Sequence, residues 1–150
     1  MGTTLKTLYD TDFVEWADHT AKLLREGRLD EVDMEHLIEE VEGLSGSARS
    51  AVYSQLMRML MHLIKQRLQP ERSGASWRAS ISDGLIEVQV QIDQAPSLRR
   101  YLEQNLTRAW KLATRQAIRE ISLPRSRQAE IPEQCPYTLE DLLENFPEPW

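Results

Sequence analysis

The stretch from Val52 to Ile64 constrains the fold more than any other part of the sequence, because most of its side chains are apolar. It reads VYSQLMRMLMHLI, and on a helical wheel its apolar positions cover more than half of the circumference. Such a helix has to be surrounded by other helices, since a surface helix needs a polar face. We therefore predict a long helix that begins near Ser47, ends at Gln69–Pro70 and forms the centre of a helical bundle.

Length and composition agree with one soluble domain. The chain has 150 residues, of which 41% are hydrophobic and 28% charged, and these are ordinary values for a globular protein. No apolar run approaches the ~18 residues of a membrane span, the amino terminus lacks the apolar segment of a signal peptide, and Cys135 has no second cysteine to pair with. We expect a cytoplasmic, bacterial-type protein with a single domain over residues 1–150 and a loosely held tail at 147–150.

The charges are segregated along the chain. Residues 1–44 hold 4 basic and 12 acidic side chains, residues 45–129 hold 14 basic and 6 acidic ones, and residues 130–150 hold 6 acidic and no basic ones. Acidic ends that dock on a basic middle would explain this pattern, and so would a basic middle that contacts a polyanion. The acidic flanks would repel nucleic acid, and aromatic residues are not interleaved with the basic ones, which favours the first explanation.

Two helices are predicted before the central one. Asp12 is an N-cap candidate for a first helix over Asp12–Glu26, and Gly27 stands where a C′ glycine belongs. Asp33 can cap a second helix, which we expect to end at Gly43–Gly46. The apolar face of the second helix is formed by Met34, Leu37, Ile38, Val41 and Leu44.

Three helices are predicted after Pro70. Ser76 is a cap candidate for a fourth helix, whose part over Ser82–Gln94 also alternates like a strand but has no partner strand nearby. A fifth helix extends from Leu98 to Ile121, with one basic face. The Thr138/Asp141 pair is a capping-box signal for a short last helix, pinned by Leu139, Leu142, Leu143 and Phe146.

These elements predict an all-α fold, an antiparallel bundle of about five main helices plus a short C-terminal helix. Several short motifs then resemble, in order, the domain-of-unknown-function family number twenty-nine, a bacterial family common in cyanobacteria. They are Tyr9–Trp16, Leu37–Glu42, His62–Lys65, Gln69–Arg72, Ser76–Arg78, Pro96–Leu98 and Cys135–Leu139. The resemblance covers nearly the whole chain and implies a small all-helical protein with no assigned activity.

A metal or acid–base site would need the histidines and glutamates of the second and third helices. His36 has the helical spacing to share an ion with Glu39 or Glu40, and His62 could add a nitrogen ligand. The helical wheel places these side chains away from the apolar faces, so they do not converge in a bundle core. We therefore favour solvated or ion-paired residues, and we predict no metal and no other cofactor.

The end of the central helix is the first place to look for a pocket. Arg67 falls on the apolar face and is expected to meet a carboxylate such as Glu39 or Glu40, since an unpaired buried guanidinium is costly. An ion pair that joins helices and an anion-binding site are both open readings of this cluster. The candidate pocket residues are Glu39, Glu40, His62, Arg67, Gln69, Arg72, Trp77 and Arg78.

The sequence leaves the enzyme question open, although it favours a non-catalytic role. The preferred hypothesis is a helical protein-interaction or regulatory module that self-associates or binds a protein partner. The alternative is a metal-dependent hydrolase-like enzyme that uses the glutamate and histidine cluster. Binding of nucleic acid through Arg108, Lys111, Arg115 and Arg119 is a weaker third hypothesis, and no membrane association is expected.

Overall fold

The computed structural model describes residues 4–72, 74–145, 147–148 and 150. The helices in this part of the chain are α1 (Leu5–Thr11), α2 (Phe13–Arg25), α3 (Met34–Leu68), α4 (Ala75–Gln94), α5 (Ser97–Glu120), α6 (Arg125–Gln128) and α7 (Leu139–Glu144). Short 3₁₀ turns lie at Leu29–Glu31 and Pro70–Arg72, and no strand occurs among the described residues. The predicted all-α helical bundle is confirmed.

The chain divides into two compact units, residues 1–47 and residues 48–150. The first unit contains α1, α2 and the start of α3, and the second contains the rest. The expected single domain over residues 1–150 stays a prediction.

In the first unit, α2 is held by the caps that the sequence indicates. The carboxylate of Asp12 accepts a hydrogen bond from the Glu15 amide, and Gly27 adopts a positive φ of 72°. The Arg28 amide donates to the Leu23 carbonyl, which completes a Schellman turn. Helix α1, which was not predicted, has Thr4 as its N-cap residue, and the Thr4 side chain accepts a hydrogen bond from the Thr7 amide.

The predicted break at Gly43–Gly46 is wrong, because α3 runs through it as one helix of 35 residues. Gly43 and Gly46 both stand in open space, where a Cβ would meet no atom within 4 Å. Each glycine costs about 1 kcal/mol relative to alanine in a helix interior, and such a cost does not end a helix whose other residues favour it.

The core of the second unit lies where the carboxyl-terminal half of α3 packs on α4 and α5. The fully buried large side chains of α3 are Val52, Leu56, Leu60, Leu63 and Ile64. Gly84 of α4 faces Met59 of α3 so closely that an added Cβ would lie 2.3 Å from its sulfur. A side chain at position 84 would therefore require the end of the Met59 side chain to move.

Helix α4 is continuous over Ser82–Gln94, so the helical reading of that segment is confirmed. The expected cap at Ser76 is wrong, because the N-cap residue is Gly74, which provides no side-chain hydrogen bond. The turn at Pro70–Arg72 and the residues after it place the start of α4 at Ala75, one residue before the predicted cap.

The carboxyl-terminal segment packs on α5. Thr138 and Asp141 form the predicted capping box of α7, and Leu139 and Leu142 are buried, while Phe146 lies outside the described residues. The indole nitrogen of Trp110 donates to the Pro132 carbonyl at 2.9 Å, and the ring of Trp150 contacts that of Trp110. The expectation that residues 147–150 are loosely held stays a prediction.

Candidate functional site

A cluster around Tyr9 contains His36 and Glu40 of the first unit. The Tyr9 hydroxyl donates to the Glu40 carboxylate at 2.5 Å, and its ring stacks on His36 with 3.8 Å between the ring centroids. The hydrogen bond to Glu40, together with partial burial, raises the pKa of Tyr9 to about 12. His36 Nδ1 lies 2.5 Å from the carboxylate of Asp33, and this hydrogen bond raises the pKa of His36 above its usual value.

These contacts bear on the metal hypothesis for His36, Glu39, Glu40 and His62. His36 and Glu40 bind neighbours within the first unit, whereas Glu39 is exposed to solvent. In the part of the chain that the structure describes, no three His, Cys, Asp or Glu side chains lie close enough together to hold a metal ion. The metal site of the hydrolase hypothesis stays a prediction.

The apolar face predicted for the second helix is largely uncovered. Met34, Ile38, Val41 and Leu44 of α3 are 43–74% exposed, and Leu37 is half-buried. The partners of α3 in this unit instead contact the side that carries His36 and Glu40. We name Met34, Ile38, Val41 and Leu44 the α3 apolar face.

At the end of α3, His62 lies against the start of α4. Its ring centroid is 6.2 Å from that of Trp77, and the Lys65 ammonium lies 6.0 Å from the Trp77 ring. Lys65 also donates to Glu120 of α5 at 2.6 Å. The His62 side chain is half-buried, and its Nδ1 is buried without a hydrogen-bond partner among the described residues. Burial lowers the pKa of His62.

Arg67 was expected to be buried, but it is exposed. It lies in the last turn of α3, between the buried residues Gln66 and Leu68. The positive charge of Arg67 helps to lower the pKa of Glu130, although the hydrogen bond from Arg127 has the larger effect. The buried polar residue of this turn is Gln66, which is 8% exposed. The pairing of Arg67 with Glu39 or Glu40 stays a prediction.

A cavity of about 600 Å³ opens where α3 ends and α4 begins. Arg67 and Arg78 of the predicted pocket residues line it, together with Gln66, Gly74 and Glu148. Of the other predicted residues, Gln69 and Arg72 belong to the adjoining turn, in which the Arg72 amide donates to the Gln69 carbonyl. His62 and Trp77 contact each other, and the functional roles of all eight residues stay predictions.

Helix α5 presents a basic surface beside an apolar groove. Arg108, Lys111, Arg115 and Arg119 are all exposed, and none of them has an ion-pair partner within 4.0 Å among the described residues. The groove, of about 330 Å³, is lined by Trp110, Ile131 and Pro132, with Lys111 and Arg115 at its edge. We name it the α5 groove.

The fold and these clusters define an all-helical protein with two compact units, and no helix of the described part is long and apolar enough to cross a membrane. Over residues 8–146 the chain matches the family "Domain of unknown function DUF29", so it belongs to that family, as its motifs predicted. Among the curated proteins and the solved structures compared with the chain, none matches it.

Sequence reasoning missed the Tyr9 cluster and the α5 groove. A signal for the first existed, since Leu5, Leu8 and Tyr9 have helical spacing behind the cap residue Thr4. The groove carried no such signal, because Ile131 and Pro132 lie in an irregular segment whose position depends on the hydrogen bond between Trp110 and Pro132.

Proposed function

We propose that this protein is a non-catalytic, helical interaction module that self-associates. In this proposal, the acidic and apolar surface of residues 1–47 in one copy docks on the α5 groove of a second copy. The observation that carries it is the exposure of the α3 apolar face, a helical surface of about 16 Å that no other described residue covers.

The uncovered apolar side chains are concentrated in the smaller unit. Of the ten large hydrophobic residues exposed in the described part of the chain, eight lie in residues 1–47 and only Ile86 and Val90 lie elsewhere. Besides the α3 apolar face, the eight comprise Phe13, Val14, Leu24 and Leu29. A unit of this size has few residues with which to cover itself, and contiguous exposed apolar surface commonly marks an interaction site.

The charges of the two surfaces indicate that the α3 apolar face docks on the α5 groove of a second copy. Residues 1–47 hold 4 basic and 12 acidic side chains, so two copies of this surface would repel each other. The exposed basic residues of α5 provide the opposite charge, and Glu39 and Glu42 flank the α3 apolar face. Opposite potentials steer association and fix its register, whereas apolar contacts supply most of the affinity.

The α5 groove suits the α3 apolar face in chemistry. Its floor is the nearly buried indole of Trp110 with Ile131 and Pro132, and Lys111 and Arg115 form one side. An apolar side chain in the groove would therefore place its acidic neighbours next to two cations. One carboxylate, Glu133, also lines the groove, and it restricts the acidic neighbours to the Lys111 and Arg115 side.

Replacing the apolar side chains tests the proposal directly. Ile38→Gln/Val41→Gln should weaken self-association at least about tenfold, because central apolar residues dominate the energy of an interface. Sedimentation velocity over a concentration series measures the change. Ile86→Gln/Val90→Gln is the matched control, since these two side chains are 58% and 48% exposed against 50% and 57% for Ile38 and Val41. A wild-type protein that stays monomeric, or an equal effect of both pairs, would refute the proposal.

The other two hypotheses have less to support them. For the hydrolase, no group of three potential metal ligands lies together among the described residues. Binding of nucleic acid would use the same basic residues of α5, so Lys111→Glu/Arg115→Glu separates the two uses. If the wild type shifts RNA or DNA in a gel in a salt-sensitive way, and the variant loses this shift but self-associates as before, then these residues bind nucleic acid and not a second copy.

A further inference from the structure

We propose that the cavity at the amino-terminal end of α4 binds a small anion with a phosphate or carboxylate group, and that Glu148 of the tail occupies the anion position when no ligand is bound. This site lies entirely within residues 48–150 and does not depend on self-association. We name it the α4 cavity.

The first argument is the carboxylate that is already there. The two terminal nitrogens of Arg78 donate to the two carboxylate oxygens of Glu148, at 2.9 Å and 3.4 Å. Phosphate and carboxylate ligands bind a guanidinium through the same paired geometry. The side chains of Arg78 and Glu148 are 48% and 66% exposed, so water competes for both partners. A free anion can therefore replace Glu148 at little cost.

The second argument is a further positive charge. Arg67 lines the same cavity, and no acidic side chain of the described part forms an ion pair with it within 4.0 Å. The cavity thus has a second guanidinium group besides that of Arg78. Helix α4 adds to this field, since it is 20 residues long and its N-cap residue, Gly74, has no side chain to cap the first-turn amides.

The third argument is a buried polar group that lacks a partner. Gln66 is 92% buried and lines the cavity, and its carboxamide oxygen has no hydrogen-bond partner among the described residues. Buried acceptors are nearly always bonded, so an unbonded one beside a cavity indicates a missing donor. The ligand should therefore carry a hydroxyl or N–H next to its anionic group. Hydrogen phosphate and a hydroxycarboxylate both meet this requirement.

Calorimetric titration at low salt tests the site, with inorganic phosphate and citrate as separate probes. Glu148→Gln should bind at least one probe about fivefold more tightly than the wild type, because the competing carboxylate is gone. Arg78→Gln should bind it about tenfold more weakly, and Gln66→Leu should also weaken it. The probe that responds identifies the anionic group.

Arg99→Gln is the control, since Arg99 pairs with Glu103 outside the cavity, and circular dichroism verifies that each variant folds. No heat of binding to either probe at about 10 mM, in both the wild type and Glu148→Gln, would overturn the proposal. So would equal affinities of Arg78→Gln and Arg99→Gln. Self-association is measured by sedimentation, so its failure would leave this result unchanged.

Discussion

At the scale of single residues, the two histidines with shifted pKa values differ in what surrounds them. His36 gains a carboxylate partner in Asp33, which raises its pKa, whereas His62 loses water without gaining a partner, which lowers its pKa. The stability that each contributes therefore changes with pH in opposite directions.

We expect ring-proton NMR to give a pKa for His36 above about 6.5 and a pKa for His62 below it. Asp33→Asn should return the pKa of His36 towards the usual value, because it removes the negative charge beside Nδ1. An unchanged His36 titration in Asp33→Asn would show that the contact is absent in solution.

The direction of each histidine's pKa shift determines how its contribution to stability changes with pH. Since the folded protein binds a proton at His62 less readily than the unfolded chain, the His62 contribution is present above about pH 6.5 and is lost as the pH falls towards the folded pKa. The His36 contribution is present below about pH 6.5 and is lost as the pH rises through the folded pKa. Urea unfolding of His62→Gln should therefore show a smaller loss of stability between pH 7 and pH 5 than the wild type.

At the scale of helices, glycine has two different roles. Gly84 allows α3 and α4 to approach closely at Met59, whereas Gly43 stands in open space within α3. Gly84→Val should lower the free energy of unfolding by about 1–3 kcal/mol, because the added methyl groups displace Met59, which is 97% buried. Gly43→Val should change it by less than about 0.5 kcal/mol. Urea unfolding measures both, and equal effects would contradict the packing described for Gly84.

The sequence predicted most helices of this chain for identifiable physical reasons. The caps at Asp12 and Thr138, the C′ glycine at Gly27 and the helical spacing of α5 are local signals, and the structure has them. The continuity of α3 was missed because Gly43 and Gly46 are read locally as a stop, whereas a long helix tolerates them.

The candidate site was harder to predict than the helices. A helical wheel gives the direction of a side chain but not which side another helix covers. Met34, Ile38 and Val41 were therefore expected to be covered, and they are exposed. Arg67 was expected to be buried, yet its neighbour Gln66 is the buried residue. The α4 cavity requires Glu148 next to Arg78, a contact across 70 positions of sequence that no local pattern encodes.

At the scale of the whole molecule, the central feature is the division of surface character between the two units. The smaller unit is acidic and exposes apolar side chains, and the larger one carries a basic helix beside an apolar groove. Because exposed charges are screened beyond a Debye length of about 8 Å at physiological salt, the proposed association should weaken as salt is raised.

Charge reversal with rescue tests this account most directly. Lys111→Glu/Arg115→Glu should reduce self-association in sedimentation velocity, and so should Glu39→Lys/Glu42→Lys. An equimolar mixture of the two variants should form heterodimers, because opposite charges then meet at both contacts. The unchanged acidic surface of the first variant faces the unchanged basic groove of the second, and the new lysines of the second face the new glutamates of the first. If each variant associates like the wild type, or if the mixture stays as monomeric as its components, then the acidic surface of one copy does not dock on the α5 groove of another.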